Sequence, residues 1–236
     1  MDQVLNFSSH MRGSWMREQA AAVPAGARVL DAGAGEGQYR PLFAHTRYAS
    51  QDFAQYTGSS DAAAPETWTY NKLDYVCDIT AIPVPDGSFD AVICTEVLEH
   101  VPEPLAALRE LARVTAPGGR LIVTAPLGSG MHQEPYHFYG GYSRHFWERV
   151  LPQLGFEIDE LVPLRGLLSH AAQEVHRASR YMALQGDLPQ DQAWVMQEWL
   201  PRLLHDKDPA VPVEQFTVGY MVRATKRASA REEGAT

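Results

Sequence analysis

The segment VLDAGAGEGQY, residues 29–39, constrains the fold more than any other stretch of the chain. A short apolar run ends in Asp31, and Gly33, Gly35 and Gly37 follow at a spacing of two. Glycine lets a backbone turn sharply and lets a ligand approach without a Cβ in the way. A buried strand that empties into such a turn is the opening of an α/β unit, and the rest of the chain keeps the same rhythm. RYASQDF (47–53), KLDYVCDI (72–79), SFDAVICTEV (88–97), RLIVTAP (120–126), GFEIDELVPL (155–164) and FTVGYMVRATK (216–226) read as further strands. Between them lie helical patterns. SWMREQAAA (14–22) has Ser14 as its cap, and a second helix is expected near Gly37, with Pro41 in its first turn. EPLAALRELARV (103–114) puts Leu105, Leu108, Leu111 and Ala112 on one face before APGG ends it. HFWERVLPQL is capped by Ser143 and cut short at Pro152. Alternation of this kind predicts an α/β fold with a largely parallel sheet, which binds ligands at the carboxyl ends of its strands.

Acids cluster at those ends. Asp31 closes the first strand, Asp52 the second, 21 residues later, and Asp78 the third. A dinucleotide fingerprint would need glycine where this chain has Gln38, and would bring a pyrophosphate against Asp31. A carboxylate at that position favours a cationic ligand instead. Asp52 is placed to accept from both hydroxyls of a ribose, and Asp78 from the exocyclic amine of adenine. Each aspartate alone could be an ordinary loop cap. Three at successive strand ends beside a glycine loop form a joint signal.

Composition narrows the class further. The 236 residues suit one domain, read here as 1–226 with a helical insertion at 165–215 and a disordered tail at 227–236. No run approaches the roughly 20 apolar residues of a membrane span, and the N-terminus lacks the pattern of an export signal, so a cytoplasmic protein without a membrane partner is expected. The net charge of −9 and the absence of a basic stripe argue against nucleic acid.

VLDAGAGEGQY, the acid of SQDF, CDITAIPVPDGSFDAVICTEVLEHV and LARVTAPGGRLIVTAP together resemble the successive motifs of class I S-adenosylmethionine-dependent methyltransferases, in particular the small-molecule group called type 11. The resemblance spans residues 28–126. It implies a Rossmann-like, seven-stranded, mostly parallel sheet ordered 3-2-1-4-5-7-6 with strand 7 antiparallel. By position it assigns Asp31 and the loop of Gly33, Gly35 and Gly37 to the methionine end of S-adenosylmethionine, Asp52 to the ribose, Asp78 and the Ile79 backbone to the adenine, and Thr95 and Glu96 to the neighbourhood of the sulfonium. Phe53 stands where a small residue is more usual and either stacks on the adenine or packs inward. Glu99 and His100 are read as organising the turn after strand 4. In the implied strand order Cys77 and Cys94 are separated by three interstrand steps, about 14 Å, which makes them free thiols.

The acceptor side is read from the loop after strand 5, MHQEPYHFYGGYSRHFW. His137, His132 and Glu134 are the candidate bases, with His145 beside them, and Tyr136, Tyr139 and Tyr142 are the candidate substrate contacts. The spacing of His132, Glu134 and His137 has no helical register, so no metal is assigned. In the insertion, His170 and His176 are expected on a solvated face, and the stripe of Trp194, Met196, Trp199, Leu200 and Leu203 is read as core packing or a homodimer contact, with a lid over the acceptor as the sharper reading. The sequence thus reads as an enzyme methylating oxygen or nitrogen of a small-molecule acceptor. A nicotinamide-dependent oxidoreductase and a non-catalytic S-adenosylmethionine-binding partner protein are its rivals.

Overall fold

The architecture follows from where the apolar runs can be buried. The computed structural model describes residues 6–58, 67–209 and 212–228. Seven strands, β1 (Arg28–Ala32), β2 (Arg47–Asp52), β3 (Tyr75–Val76), β4 (Phe89–Thr95), β5 (Thr115–Pro126), β6 (Phe156–Pro163) and β7 (Gly219–Lys226), form one sheet in the order β3-β2-β1-β4-β5-β7-β6. β1 through β5 pair in parallel, while β7 runs antiparallel to both β5 and β6. The expected order and the antiparallel last strand are both present. Cys77 and Cys94 are free thiols.

Both faces of the sheet are covered, as its continuous apolar strands demand. On one face α2 (Pro104–Val114) and α3 (Arg144–Gln153) bury Leu108, Leu111, Trp147 and Leu151 against Leu30, Val92, Leu121 and Val123. On the other, α1 (Phe7–Ala21) and the short 3₁₀ turn Arg40–Phe43 bury Trp15, Met16 and Phe43 against Val29, Ile93, Ile122 and Met221.

Several local expectations are corrected. The first helix begins at Phe7 rather than Ser14, which therefore lies inside it, because Trp15, Met16 and Gln19 need the preceding turns to lie flat on the sheet. No α-helix follows Gly37. The chain must return to β2 at Arg47, and only the turn Arg40–Phe43 fits between. β3 is two residues long, and just before it Asp74 accepts from the Ser50 amide and hydroxyl. β5 starts at Thr115, so APGG is part of the strand, where the pairing with β4 shifts register. Leu105 is exposed, because the buried face of α2 is centred on Pro104, Ala107, Leu108 and Leu111. Ser143 does cap α3, accepting from the Phe146 amide, and Pro152 sits in its last turn.

The described part of residues 165–215 is mostly helical. It contains α4 (Leu167–Gln185) and a second rod of α5 (Gln190–Trp194), a π-helical turn (Val195–Trp199) and α6 (Leu200–Lys207). Asp208 caps α4 from the far end of that rod, its two carboxylate oxygens accepting from the amides of Gly166 and Leu168. His170 and His176 are not solvated but partly buried, with their Nδ1 atoms on the carbonyls of Phe216 and Gln197. Trp194 and Trp199 are not core residues. They are 60% and 47% exposed and line a shallow groove with Glu198, Arg202, Leu203 and Asp206. Among the described residues no helix is long and apolar enough to cross a membrane. Of the expected tail, residues 229–236 lie outside the described residues.

Trp147 has no exposed surface and packs against Tyr142 and Phe146. Trp147→Ala should cost about 3–5 kcal/mol in urea unfolding. A loss below about 1 kcal/mol would show that this side of the core is not closed as described.

Candidate active site

The glycine loop owes its path to backbone conformations that side chains resist. Gly33, Gly35 and Gly37 all have positive φ, between 53° and 73°. A Cβ on Gly33 would lie 2.4 Å from a Val97 methyl, and one on Gly35 would lie 2.7 Å from the Trp68 ring. The loop is fastened to the end of β2. Gly35 donates its amide to Asp52 Oδ2 at 2.9 Å, and Gly33 and Ala34 donate theirs to the Gln51 carbonyl. Asp52 Oδ1 takes the amide of Ala54, and the Gln51 side chain reaches the Cys77 carbonyl at 2.7 Å. Asp52 is buried. Each of its oxygens accepts one amide and keeps a further lone pair for a ligand.

Asp31 is also buried, and its carboxylate accepts from the Tyr48 hydroxyl. Burial pushes its pKa up to about 7, the Asp52 charge adds to this, and the Tyr48 hydrogen bond and Arg40 oppose it. A carboxylate so placed gains from a cation. Asp78 departs from expectation. It lies beyond the short β3, exposed, with Oδ1 accepting from the Thr80 amide and hydroxyl, which is the loop-capping arrangement. Ile79 next to it is buried.

Thr95 ends β4, and Glu96 follows with a positive φ of 53°. Glu96 is held on both sides, by the Thr124 hydroxyl at 2.8 Å and by Arg12 at 3.3 Å. Arg12 reaches in from α1 and hydrogen-bonds Tyr39, which also bonds Thr95. Behind them Glu99 is fully buried, and burial, then the charge of Glu96, lifts its pKa to about 8.

The loop after β5 folds back over this edge. His132 and His137 meet His100, with ring centroids 4.7 to 5.7 Å apart. Glu134 is exposed, and His145 points away on α3, where it faces Glu148. Tyr142 is corrected from substrate contact to core residue. It is buried and its hydroxyl donates to the Leu98 carbonyl at 2.7 Å. Tyr139 spends its hydroxyl on the Pro102 carbonyl. Tyr136 packs edge-on against Phe53 at 4.9 Å, joining the loop to the end of β2. Phe53 is half-buried in that contact.

Sequence reasoning missed Arg12, Gln51, Trp68 and the part His100 plays. Trp68 lies over Gly35, and Thr69 and Asn71 bond to Glu36 beside it. The glycine cradle, the buried acids and the absence of a lysine or arginine from residues 29–39 fit a neutral or cationic nucleoside better than a pyrophosphate.

Residues 30–123 match the family described as methyltransferase domain. A ubiquinone biosynthesis O-methyltransferase of Xanthomonas axonopodis pv. citri is 40% identical over 114 residues, which are 43% of this chain and 44% of that protein. A demethylmenaquinone methyltransferase of Renibacterium salmoninarum is 38% identical over 113 residues, 46% of each. The chain spans about half the length of the curated relatives it matches. Among solved structures, phosphoethanolamine N-methyltransferase 2 of Haemonchus contortus in complex with S-adenosyl-L-methionine shares the fold, with a TM-score of 0.51 and 17% identity over 89% of this chain and 52% of that one. The matched stretch lies inside residues 28–126, where the resemblance was read from the sequence.

Because the folded state holds the Asp31 proton more tightly than the unfolded chain does, the stability this group contributes falls as pH rises from about 4 to about 7. Asp31→Asn should remove that slope and stabilise the ligand-free protein at pH 8 by on the order of 1 kcal/mol or more. Urea unfolding of both proteins from pH 4 to 8 checks this; parallel stability curves would show that Asp31 titrates normally.

Proposed function

We propose that this chain is an S-adenosylmethionine-dependent methyltransferase acting on a hydroxyl of a small-molecule acceptor. The observation that carries the reading is the continuity of the site. The glycine cradle, Asp52, Thr95 with Glu96, His100 and the loop of His132 and His137 follow the carboxyl ends of the adjacent parallel strands β1, β2, β4 and β5. The O-methyltransferase named among the relatives supports oxygen as the methylated atom.

S-adenosylmethionine supplies a methyl group already activated by a cationic sulfur. The chain's own work is then binding, orientation and proton acceptance. The glycine amides and Asp31 receive the amino-acid end, Asp52 the ribose hydroxyls, and Phe53 and Ile79 flank the base. Asp78 offers Oδ2 to the adenine amine while Oδ1 stays on Thr80. Thr95 and Glu96 border the reacting side.

At the acceptor, the new carbon–oxygen bond forms as the carbon–sulfur bond breaks, the sulfur keeps the bonding pair, and the hydroxyl proton must leave. His137 is the group suited to take it, with His132 and Glu134 beside it. Its pKa lies below the usual histidine value, through burial and then His132, so the imidazole is neutral and basic at pH 7. An amine acceptor is the second reading, since it needs no strong base. Tyr136 reaches the acceptor side while touching Phe53, and Tyr139 does so from the loop's outer part.

Calorimetry with S-adenosylmethionine and with NAD, followed by a labelled-methyl screen of small phenols and amines, tests the assignment. Binding of NAD alone would overturn it, and cofactor binding without transfer to any acceptor would favour a non-catalytic partner protein. Asp52→Ala should weaken S-adenosylmethionine binding by about 1.5–3 kcal/mol. Unchanged affinity would remove Asp52 from the site. His137→Ala should lower turnover about a hundredfold and spare cofactor affinity, while the wild-type rate should fall on the acid side only below pH 6.5.

A further inference from the structure

His100, His132 and His137 come from two separate segments, the 3₁₀ turn Leu98–His100 after β4 and the loop after β5. One ring nitrogen of each lies within 4.8 Å of those of the other two. Packing alone does not account for how the rings are held. His100 Nδ1 sits 2.6 Å from the Tyr136 carbonyl, and His132 Nδ1 sits 2.9 Å from the Gly130 carbonyl. A carbonyl only accepts, so both Nδ1 atoms carry the proton and both Nε2 atoms keep a lone pair. His137 Nδ1 is buried with no hydrogen-bond partner. Among the described residues no hydrogen bond joins one ring to another. Imidazoles oriented through the nitrogen that faces a carbonyl, with the opposite lone pair free, are the usual preparation of a metal ligand.

We propose that His100, His132 and His137 form a three-imidazole site for a divalent transition metal, zinc foremost, whose open position takes the acceptor's oxygen. Three neutral nitrogen ligands suit zinc and its neighbours far better than magnesium or calcium, which prefer oxygen. Nitrogens around tetrahedral zinc stand about 3.3 Å apart, so the triad closes by side-chain rotation of little more than an ångström. Glu99 adjoins the triad. Its Oε1 lies 3.8 Å from His100 Nε2, and its Oε2 is buried without a partner. The pattern differs from the set considered from sequence spacing, because His100 takes the place that Glu134 would have filled. The acceptor role rests on the methyl-transfer reading above. With the metal in place the three lone pairs act as ligands, which takes proton acceptance away from His137; the acceptor hydroxyl binds through oxygen and gives its proton to solvent.

The full chain, stripped with a chelator, is titrated with Zn²⁺ alone against a chromophoric indicator. One equivalent should bind. His132→Ala and His137→Ala should each weaken binding at least tenfold with the fold retained by circular dichroism, and His145→Ala, an exposed imidazole outside the triad, should not change it. Loaded with Co²⁺, the wild-type chain should show visible bands of low coordination number, and catechol added as an oxygen donor should shift them. No stoichiometric binding, or equal affinity in the triad variants, overturns the site. Bands indifferent to catechol overturn the acceptor role. None of these readouts uses S-adenosylmethionine, so a failure of the methyl-transfer reading is seen separately, in the cofactor calorimetry.

Discussion

The hydrogen bond from the Gly35 amide to Asp52 is the tie on which the site depends. It joins the loop leaving β1 to the end of β2, and it forms only because three glycines accept left-handed backbone that a Cβ would strain. With the loop fixed, Val97 can lie against Gly33 and Trp68 against Gly35, so the segments after β4 and before β3 take their positions from the same turn. A carboxylate with both oxygens occupied by amides is held rigidly, and the lone pairs it has left are aimed rather than free.

Electrostatics impose a second order on the site. Asp31 and Glu99 are both buried and both hold their protons more tightly than an exposed acid would, whereas Glu96 is balanced by Arg12. Stability is therefore given up around the place where a cationic group would bind, and ligand charge can return it. Such concentration of perturbed acids in one cleft is characteristic of functional sites.

Much of this was legible in the sequence because its causes are local. Strand order and the antiparallel β7 followed from a family resemblance carried on contiguous motifs, and the glycine loop is visible as spacing alone. What escaped is tertiary. Arg12 belongs to a helix whose start was placed after it, and Gln51 acts through a carbonyl 26 residues away. His100 was read as a turn residue because its partners, His132 and His137, lie more than thirty positions further on. Tyr142 shows the opposite error. Its residue type suits a binding role, but its hydroxyl is already spent on the Leu98 carbonyl.

The π-helical turn at Val195–Trp199 adds a geometric condition to the insertion. Five residues of ordinary α-helix would set Trp194 and Trp199 about 140° apart, whereas the wider turn brings the two indoles toward one side, where they line one groove. Rewinding this turn as ordinary α-helix without removing a residue would preserve every side chain, yet would part the two indoles by about 140° and take them out of a shared groove. The shape of that face is thus encoded in the winding of the rod, and ordinary α-helical bonding through the turn would erase it while leaving composition and helicity the same.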